Sequence, residues 1–421
     1  MSTQLTMSSS AADCCAEMTA MSRRGLFRGA ALAGATTVFG GAVVTLSGEQ
    51  AYAATPVESV IVVVSLRGAA DGLSLVVPHA DPAYYAARPS IAIPSGSLLA
   101  KDGFFGLHPA LAPLLPMWNA GTLAAVHAAG LPAPNRSHFA AMEAVEDADP
   151  GSTDRVGWLN RVLGADAFTS PLNGVAFNPL LPTSLIGPEP ALSMASLEQS
   201  LAGNAAYQPG TARSKSLATM WGSEPSSMGA GMRSTLSTTP ALGTALAQPD
   251  RSSTYGSSDI GRALSSVART LKAEIGVSLV TVDQGDWDMH TTLGTATKGP
   301  MLDNTTSLAT AIAAFFTDLG ALASKVTLVT ISEFGRRVQE NASGGLDHGW
   351  GNVMFLAGAG VKGGKYYGRW SGLQNTLDAD VPVTTDYRSV LAEVVASRTK
   401  ASTAAVFPGL TRERVGVMLG Q

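Results

Sequence analysis

The residues of this chain that could do chemistry are few, and most sit in short polar segments that interrupt apolar runs. Asp71 lies in Arg67-Gly68-Ala69-Ala70-Asp71-Gly72, and Arg136, Ser137 and His138 lie in Pro134-Asn135-Arg136-Ser137-His138. Asp286, Asp288 and His290 share Gly285-Asp286-Trp287-Asp288-Met289-His290. Glu333 and Arg336 fall in Ser332-Glu333-Phe334-Gly335-Arg336, and Asp347 and His348 in Leu346-Asp347-His348-Gly349. Carboxylates and imidazoles gathered at one place are what a divalent metal needs. A serine hydroxyl beside such an ion, at a helix N-terminus, has the surroundings of a nucleophile. The chain has 6 histidines, and His138, His290 and His348 fall in these segments. Plainer readings stand beside these. An Asp in Ala-Asp-Gly is an ordinary turn residue, Asp347-His348 between glycines is an ordinary turn, and Ser137 is a natural helix cap. His79, His108 and His127 read as structural. There is no G-x-G-x-x-G, G-x-S-x-G or H-E-x-x-H pattern.

The elements that must position these residues are legible as apolar runs. Residues 57–66 (VESVIVVVSL), 123–128, 276–282, 325–331 and 353–357 read as strands, the first rich enough in β-branched residues to be buried on both faces. Ser137 opens a helical pattern with Phe139, Met142 and Val145 on one side, and residues 302–322 form a helix with Leu308, Ile312, Phe315, Phe316 and Leu319 on one face. Strands alternating with helices predict an α/β three-layer sandwich with a mostly parallel central sheet. Ligands in such folds bind in the loops after the strands, where the segments above lie. Residues 203–257, rich in Ser, Thr, Gly and Pro, read as a loose insertion or lid.

The first 53 residues predict export. Arg23-Arg24 precedes an uncharged, weakly apolar stretch that ends in Ala51-Tyr52-Ala53, a small-x-small cleavage signal. This is the arrangement of a twin-arginine (Tat) signal peptide, with residues 54–421 as the working domain and the Tat translocase as a transient partner. The location is then periplasmic, cell-surface or secreted, with the apolar stretch either cleaved or kept as an anchor. Both cysteines, Cys14 and Cys15, lie inside that signal, so no disulfide partner and no thiolate site is expected in the exported part. The net charge is −4 and charged residues make up 14 % of the chain, which argues against a nucleic-acid partner.

Taken in order, L-R-G-A-A-D-G-L-S, P-N-R-S-H-F, G-D-W-D-M-H, T-I-S-E-F-G-R and L-D-H-G-W-G resemble a widespread Tat-exported bacterial family of unassigned function. That family lies within the alkaline-phosphatase-like superfamily of phosphatases and sulfatases. The resemblance spans about residues 57–372 and omits the insertion. It implies an alkaline-phosphatase-like fold and a divalent metal cofactor, zinc being the usual choice, with one or two ions. Its expected ligands are Asp71, Asp286 or Asp288, His290, Glu333, Asp347 and His348. Ser137 matches the nucleophile's position, and Arg136 or Arg336 would neutralise ester oxygens. The implied activity is hydrolysis of a phosphate or sulfate ester of a small molecule or glycan. Phe334 departs from the superfamily pattern, which has a histidine there. The competing expectation is a degenerate, non-catalytic member that binds a surface glycan or a protein partner.

Overall fold

The computed structural model of the chain describes residues 37–39, 42–44, 57–166 and 170–420. The export signal expected over residues 1–53 lies outside the described residues. The exceptions are two strands, Thr37–Phe39 and Ala42–Val44, which pair antiparallel with each other.

Seven strands form the body of a large mixed sheet: β1 (Val60–Leu66), β2 (Leu123–Gly130), β3 (Gly174–Phe177), β4 (Leu192–Met194), β5 (Leu279–Gln284), β6 (Val326–Ile331) and β7 (Asn352–Gly358). Their spatial order is β4-β3-β5-β1-β6-β7-β2, with Ala42–Val44 on the outer side of β4 and Tyr366–Tyr367 and Thr385–Asp386 on β2. From β4 to β6 every pairing is parallel, and β7 alone of the seven runs antiparallel to its neighbours. The expected parallel α/β sheet is present, with one reversed strand that the sequence did not reveal.

Helices cover both faces. They are α1 (His138–Asp147), α2 (Trp158–Ala165), α3 (Ala212–Trp221), α4 (Ser227–Leu246), α5 (Asp259–Lys272), α6 (Pro300–Leu319) and α7 (Tyr387–Arg398). Along β1 the side chains alternate between two cores. Val60, Val62, Val64 and Leu66 meet Leu264 of α5 and Leu308, Ile312 and Phe315 of α6, whereas Ile61 and Val63 meet Val145 of α1, Val162 of α2 and Leu391 of α7. A strand buried on both faces needs an apolar residue at every position, hence the β-branched run. At about 1.5–3 kcal/mol for each fully buried Val or Leu, this strand is among the strongest single contributors to the fold. α6 is long and apolar enough to cross a membrane by composition, but the face carrying Leu308, Ile312 and Phe315 is committed to the core.

Two local readings change. Residues 203–257 carry the helices α3 and α4, and Leu242 and Ala245 of α4 join the main core. Their small residues hid a helix that packs closely. Phe139 was expected on the inner face of α1 with Met142 and Val145, yet it is 46 % exposed while the other two are buried.

The reversal of β7 brings the site together. β1, β5 and β6 run parallel and β2 runs alongside them, so the loops beginning at Arg67, Leu131, Gly285 and Ser332 leave one edge of the sheet. Because β7 is antiparallel to β6, the segment that precedes it, with Asp347 and His348, arrives at that same edge.

Candidate metal centre

Three imidazoles and one carboxylate gather on this edge. His138 Nε2 lies 3.0 Å from His348 Nε2, which lies 2.9 Å from His290 Nε2. Asp288 Oδ1 is 3.5 Å from His138 Nε2, 3.1 Å from His290 Nε2 and 3.5 Å from His348 Nε2. Donors placed 2.0–2.1 Å from a central ion in a tetrahedron would be separated by about 3.3–3.4 Å, close to the spacings among His138, Asp288 and His348. His138, Asp288 and His348 form a group that could hold a metal ion, their donor atoms all within 4.8 Å of one another. His290 flanks that group, its Nε2 within reach of His348, of Asp288 and, at 3.5 Å, of Arg336 Nη1.

The remaining ring nitrogens show which tautomer the site favours. His138 Nδ1 is 2.8 Å from Glu333 Oε1, His290 Nδ1 is 3.2 Å from Asp347 Oδ1, and His348 Nδ1 is 2.8 Å from the carbonyl oxygen of Arg136. Carboxylates and carbonyls only accept, so each Nδ1 is the donor. In the neutral rings every Nε2 then carries a lone pair, those of His138 and His348 facing each other beside Asp288 Oδ1 and that of His290 facing His348 and Arg336 Nη1. Such an array is repulsive unless a cation or shared protons occupy it. Carboxylates and carbonyls on the far nitrogens of ligating histidines are also what fixes ring orientation and raises ligand basicity.

The electrostatics agree. His138 is pushed up to about 9, because hydrogen bonding to Asp288 and Glu333 outweighs a burial that opposes its charge. Asp288 on its own side raises the affinity of His290 for a proton. Burial works against ionisation of Asp288, yet the imidazoles and Arg336 around it hold it well below the usual carboxylate range. Glu333 and Asp347 are also lowered. Burial opposes this in both, and it is outweighed by His138 and backbone donors for Glu333 and by Asn341 and His290 for Asp347. The site draws positive charge to one point.

Close backbone approach holds the ligand-bearing loops together. Gly68, at φ +105°, has the amide nitrogen of Asp288 2.6 Å from where a Cβ would be. Gly345 has the carbonyl carbon of His290 2.2 Å from the same position. Any side chain at either glycine would displace the loop that carries Asp288 or His290.

The structure distributes the expected site residues among different tasks. Asp288, His290 and His348 are in the cluster, and His138, expected only as a neighbouring titratable group, is in it too. Glu333 is buried and supports rather than ligates: Oε1 accepts from Gly68 N at 2.8 Å and from His138 Nδ1, and Oε2 lies 3.1 Å from Ser332 Oγ. Asp347 likewise braces His290 and accepts from Asn341 Nδ2 at 3.1 Å. Asp286 is exposed, at φ +65°, and is not part of the cluster.

Asp71 is not brought to the cluster. Arg88 Nη1 and Nη2 donate to its two oxygens at 2.5 and 3.0 Å, and Ser74 N donates at 3.0 Å. The partner that claims it comes from another segment, which a reading of the local turn could not supply. Arg336, expected to face substrate, is buried. It donates to the carbonyls of Ala69 at 2.7 Å, Leu346 at 2.9 Å, Gly68 at 2.5 Å and Trp287 at 3.2 Å, and to Asp288 Oδ1 at 2.6 Å. It ties three loops together beneath the cluster. The guanidinium of Arg136 pairs with Asp380, so the residue reaches the centre through its carbonyl instead.

Ser137 precedes α1 in extended conformation, exposed, and its side chain makes no capping hydrogen bond. Asn135 Oδ1 accepts from its amide at 3.1 Å. Phe334 closes one side of the centre, its ring centroid 5.0 Å from that of His138 and 4.9 Å from that of His348.

No curated protein and no solved structure matches the chain. A family model described as "Protein of unknown function (DUF1501)" matches residues 108–399, which contain every donor of the cluster. The chain belongs to that family.

Proposed function

We propose that this protein is a metal-dependent hydrolase of phosphate or sulfate esters, exported by the twin-arginine route and built on an alkaline-phosphatase-like fold. One observation carries the reading: His138, Asp288 and His348 bring their donor atoms within 4.8 Å of one another, with His290 beside them and each far ring nitrogen fixed by an acceptor. This donor set suits zinc or a similar borderline divalent ion, and such an ion would polarise an ester oxygen as a Lewis acid. The chain's own residues supply the rest. Ser137 stands beside the ligand His138, at the start of α1, where the first amides of the helix favour a developing negative charge. Its hydroxyl is not committed to capping, which leaves it available for attack on the ester. Arg336 keeps Asp288 ionised and aimed at the cluster. Phe334 keeps one wall dry. The paired arginines and the small-x-small boundary support export, and the fold assignment rests on the sheet order and the loops that supply the donors.

A non-catalytic reading is favoured by one pair of observations: Phe334 stands where the superfamily pattern has a histidine, and Asp71 is locked to Arg88. The two readings separate in one experiment. The purified protein, loaded with zinc, manganese or cobalt, is screened against aryl phosphates, phosphodiesters and aryl sulfates. Turnover that is lost in both Ser137→Ala and His348→Ala supports the hydrolase with Ser137 as nucleophile. Turnover kept in Ser137→Ala removes that role, and a metal-loaded protein inert toward all three classes favours the binding protein.

A further inference from the structure

We infer that this centre takes a single divalent ion, and that guanidinium groups occupy the positions where a second cation would otherwise be required. The inference rests on the metal-centre reading above and concerns how many ions that site can hold. A second ion needs its own carboxylates or imidazoles, and most of the carboxylate oxygens near the cluster are already engaged. Both oxygens of Asp71 are held by Arg88, and Asp71 is 3 % and Arg88 0 % exposed. Arg88 is itself anchored, donating to the carbonyl oxygens of Val338 at 2.9 Å and Arg337 at 3.0 Å. An ion that claimed Asp71 would strand a buried guanidinium without its counter-charge, an arrangement proteins avoid. Glu333 is occupied by Gly68, His138 and Ser332, and Asp347 by His290 and Asn341. Asp283 pairs with Arg67. Asp286 stands exposed and apart from the cluster, and a lone carboxylate does not hold an ion.

Asp288 shows the substitution most directly. Its Oδ1 lies 3.1–3.5 Å from the three Nε2 atoms and 2.6 Å from Arg336 Nη2, and Arg336 Nη1 is 3.5 Å from His290 Nε2. The guanidinium is fixed by four backbone carbonyls and cannot leave as an ion can. The centre therefore pairs one exchangeable cation with one permanent cation. Three imidazoles select a borderline divalent ion such as zinc or cobalt over magnesium or calcium.

The test is a cobalt titration of the chelator-stripped protein. Cobalt d–d absorption is followed to saturation, and bound metal is counted by mass spectrometry after dialysis. The absorption should break at one equivalent in the native protein and should not develop in His348→Ala. In Asp71→Asn the break should stay at one equivalent, with unchanged spectrum and affinity, although this variant will be less stable. If Asp71→Asn does not fold, the native stoichiometry decides alone. A break at two equivalents, or loss of an equivalent in Asp71→Asn, overturns the one-ion assignment and leaves the metal centre standing. Failure of the native protein to bind cobalt or zinc overturns the metal centre and this inference with it.

Discussion

Glu333→Gln isolates the contribution of one buried charge to the centre without removing a ligand. The native Oε1 accepts from Gly68 N and His138 Nδ1, each at 2.8 Å. A glutamine can place its carbonyl oxygen in the same position and keep both bonds. Its amide group would replace Oε2 opposite Ser332 Oγ, which donates to the Leu66 carbonyl at 2.8 Å and can accept in return. Shape and hydrogen bonds are thus conserved, and the change is the loss of a negative charge directly behind a metal-facing imidazole. Removing such support from a ligating histidine lowers metal affinity by about 10–100-fold, equivalent to about 1.4–2.7 kcal/mol. The metal-free protein should respond differently. Glu333 is ionised against the cost of burial, so a neutral glutamine relieves that cost as it gives up the attraction to His138. Unfolding of the metal-free variant should therefore change little, whereas the stabilisation gained on adding zinc should shrink. Zinc affinity is measured by competition with a chromophoric chelator, and unfolding by denaturant with and without metal. A zinc affinity within about twofold of the native value would refute the assignment of His138 as a ligand braced by Glu333.

Other perturbations test separate parts of the structure. Asp71→Ala should lower stability by about 3–5 kcal/mol, because it strands Arg88 in the core, and a denaturation midpoint close to native would contradict the buried pair. His127 is pushed down to about 4 by burial, against a smaller opposing pull from Asp102. Its folded value lies below the unfolded value near 6.5, so the unfolded chain binds more protons in between. Stability contributed by the neutral ring is full above about pH 6.5 and is lost as pH falls toward 4, at most about 3 kcal/mol. His127→Phe, which keeps the stack on Phe105, should flatten that part of the stability-versus-pH curve, and an unchanged slope would remove His127 as its source. Replacing Arg23 and Arg24 together by Lys should hold the precursor in the cytoplasm, as judged by fractionation, and export at the native rate would end the twin-arginine proposal.

The residues also show where a sequence can be read and where it cannot. The strands that line the site were legible because each is buried on both faces and therefore continuous in apolar residues, as Val60 to Leu66 is. β3 and β4 are 4 and 3 residues long and carry no such run, so they went unseen. α5 did carry a signal, with Ile260, Leu264, Val267 and Leu271 spaced along one buried stripe, and that periodicity would have found it. Within the site, residue type was readable and residue role was not. Ser137 and His138 are consecutive at a helix start, and only the direction of that helix decides which one meets the cluster. Glu333 differs from a ligand by the single bond it makes to His138 Nδ1 instead of to the common point.

Asp71 is the sharpest case, because its turn and its position after β1 both suit a ligand. Its role was decided by Arg88, whose alignment depends in turn on the carbonyls of Arg337 and Val338, some 250 residues away in the chain. A buried carboxylate becomes a ligand or an ion-pair partner according to which cation the folded chain places against it. A guanidinium supplied by the same chain is always present, whereas a metal ion is present only when its supply allows. The loops at this edge contain both solutions side by side: Asp71 is satisfied by a guanidinium from within the chain, and Asp288 shares Arg336 with imidazoles that are left to a cation from outside it.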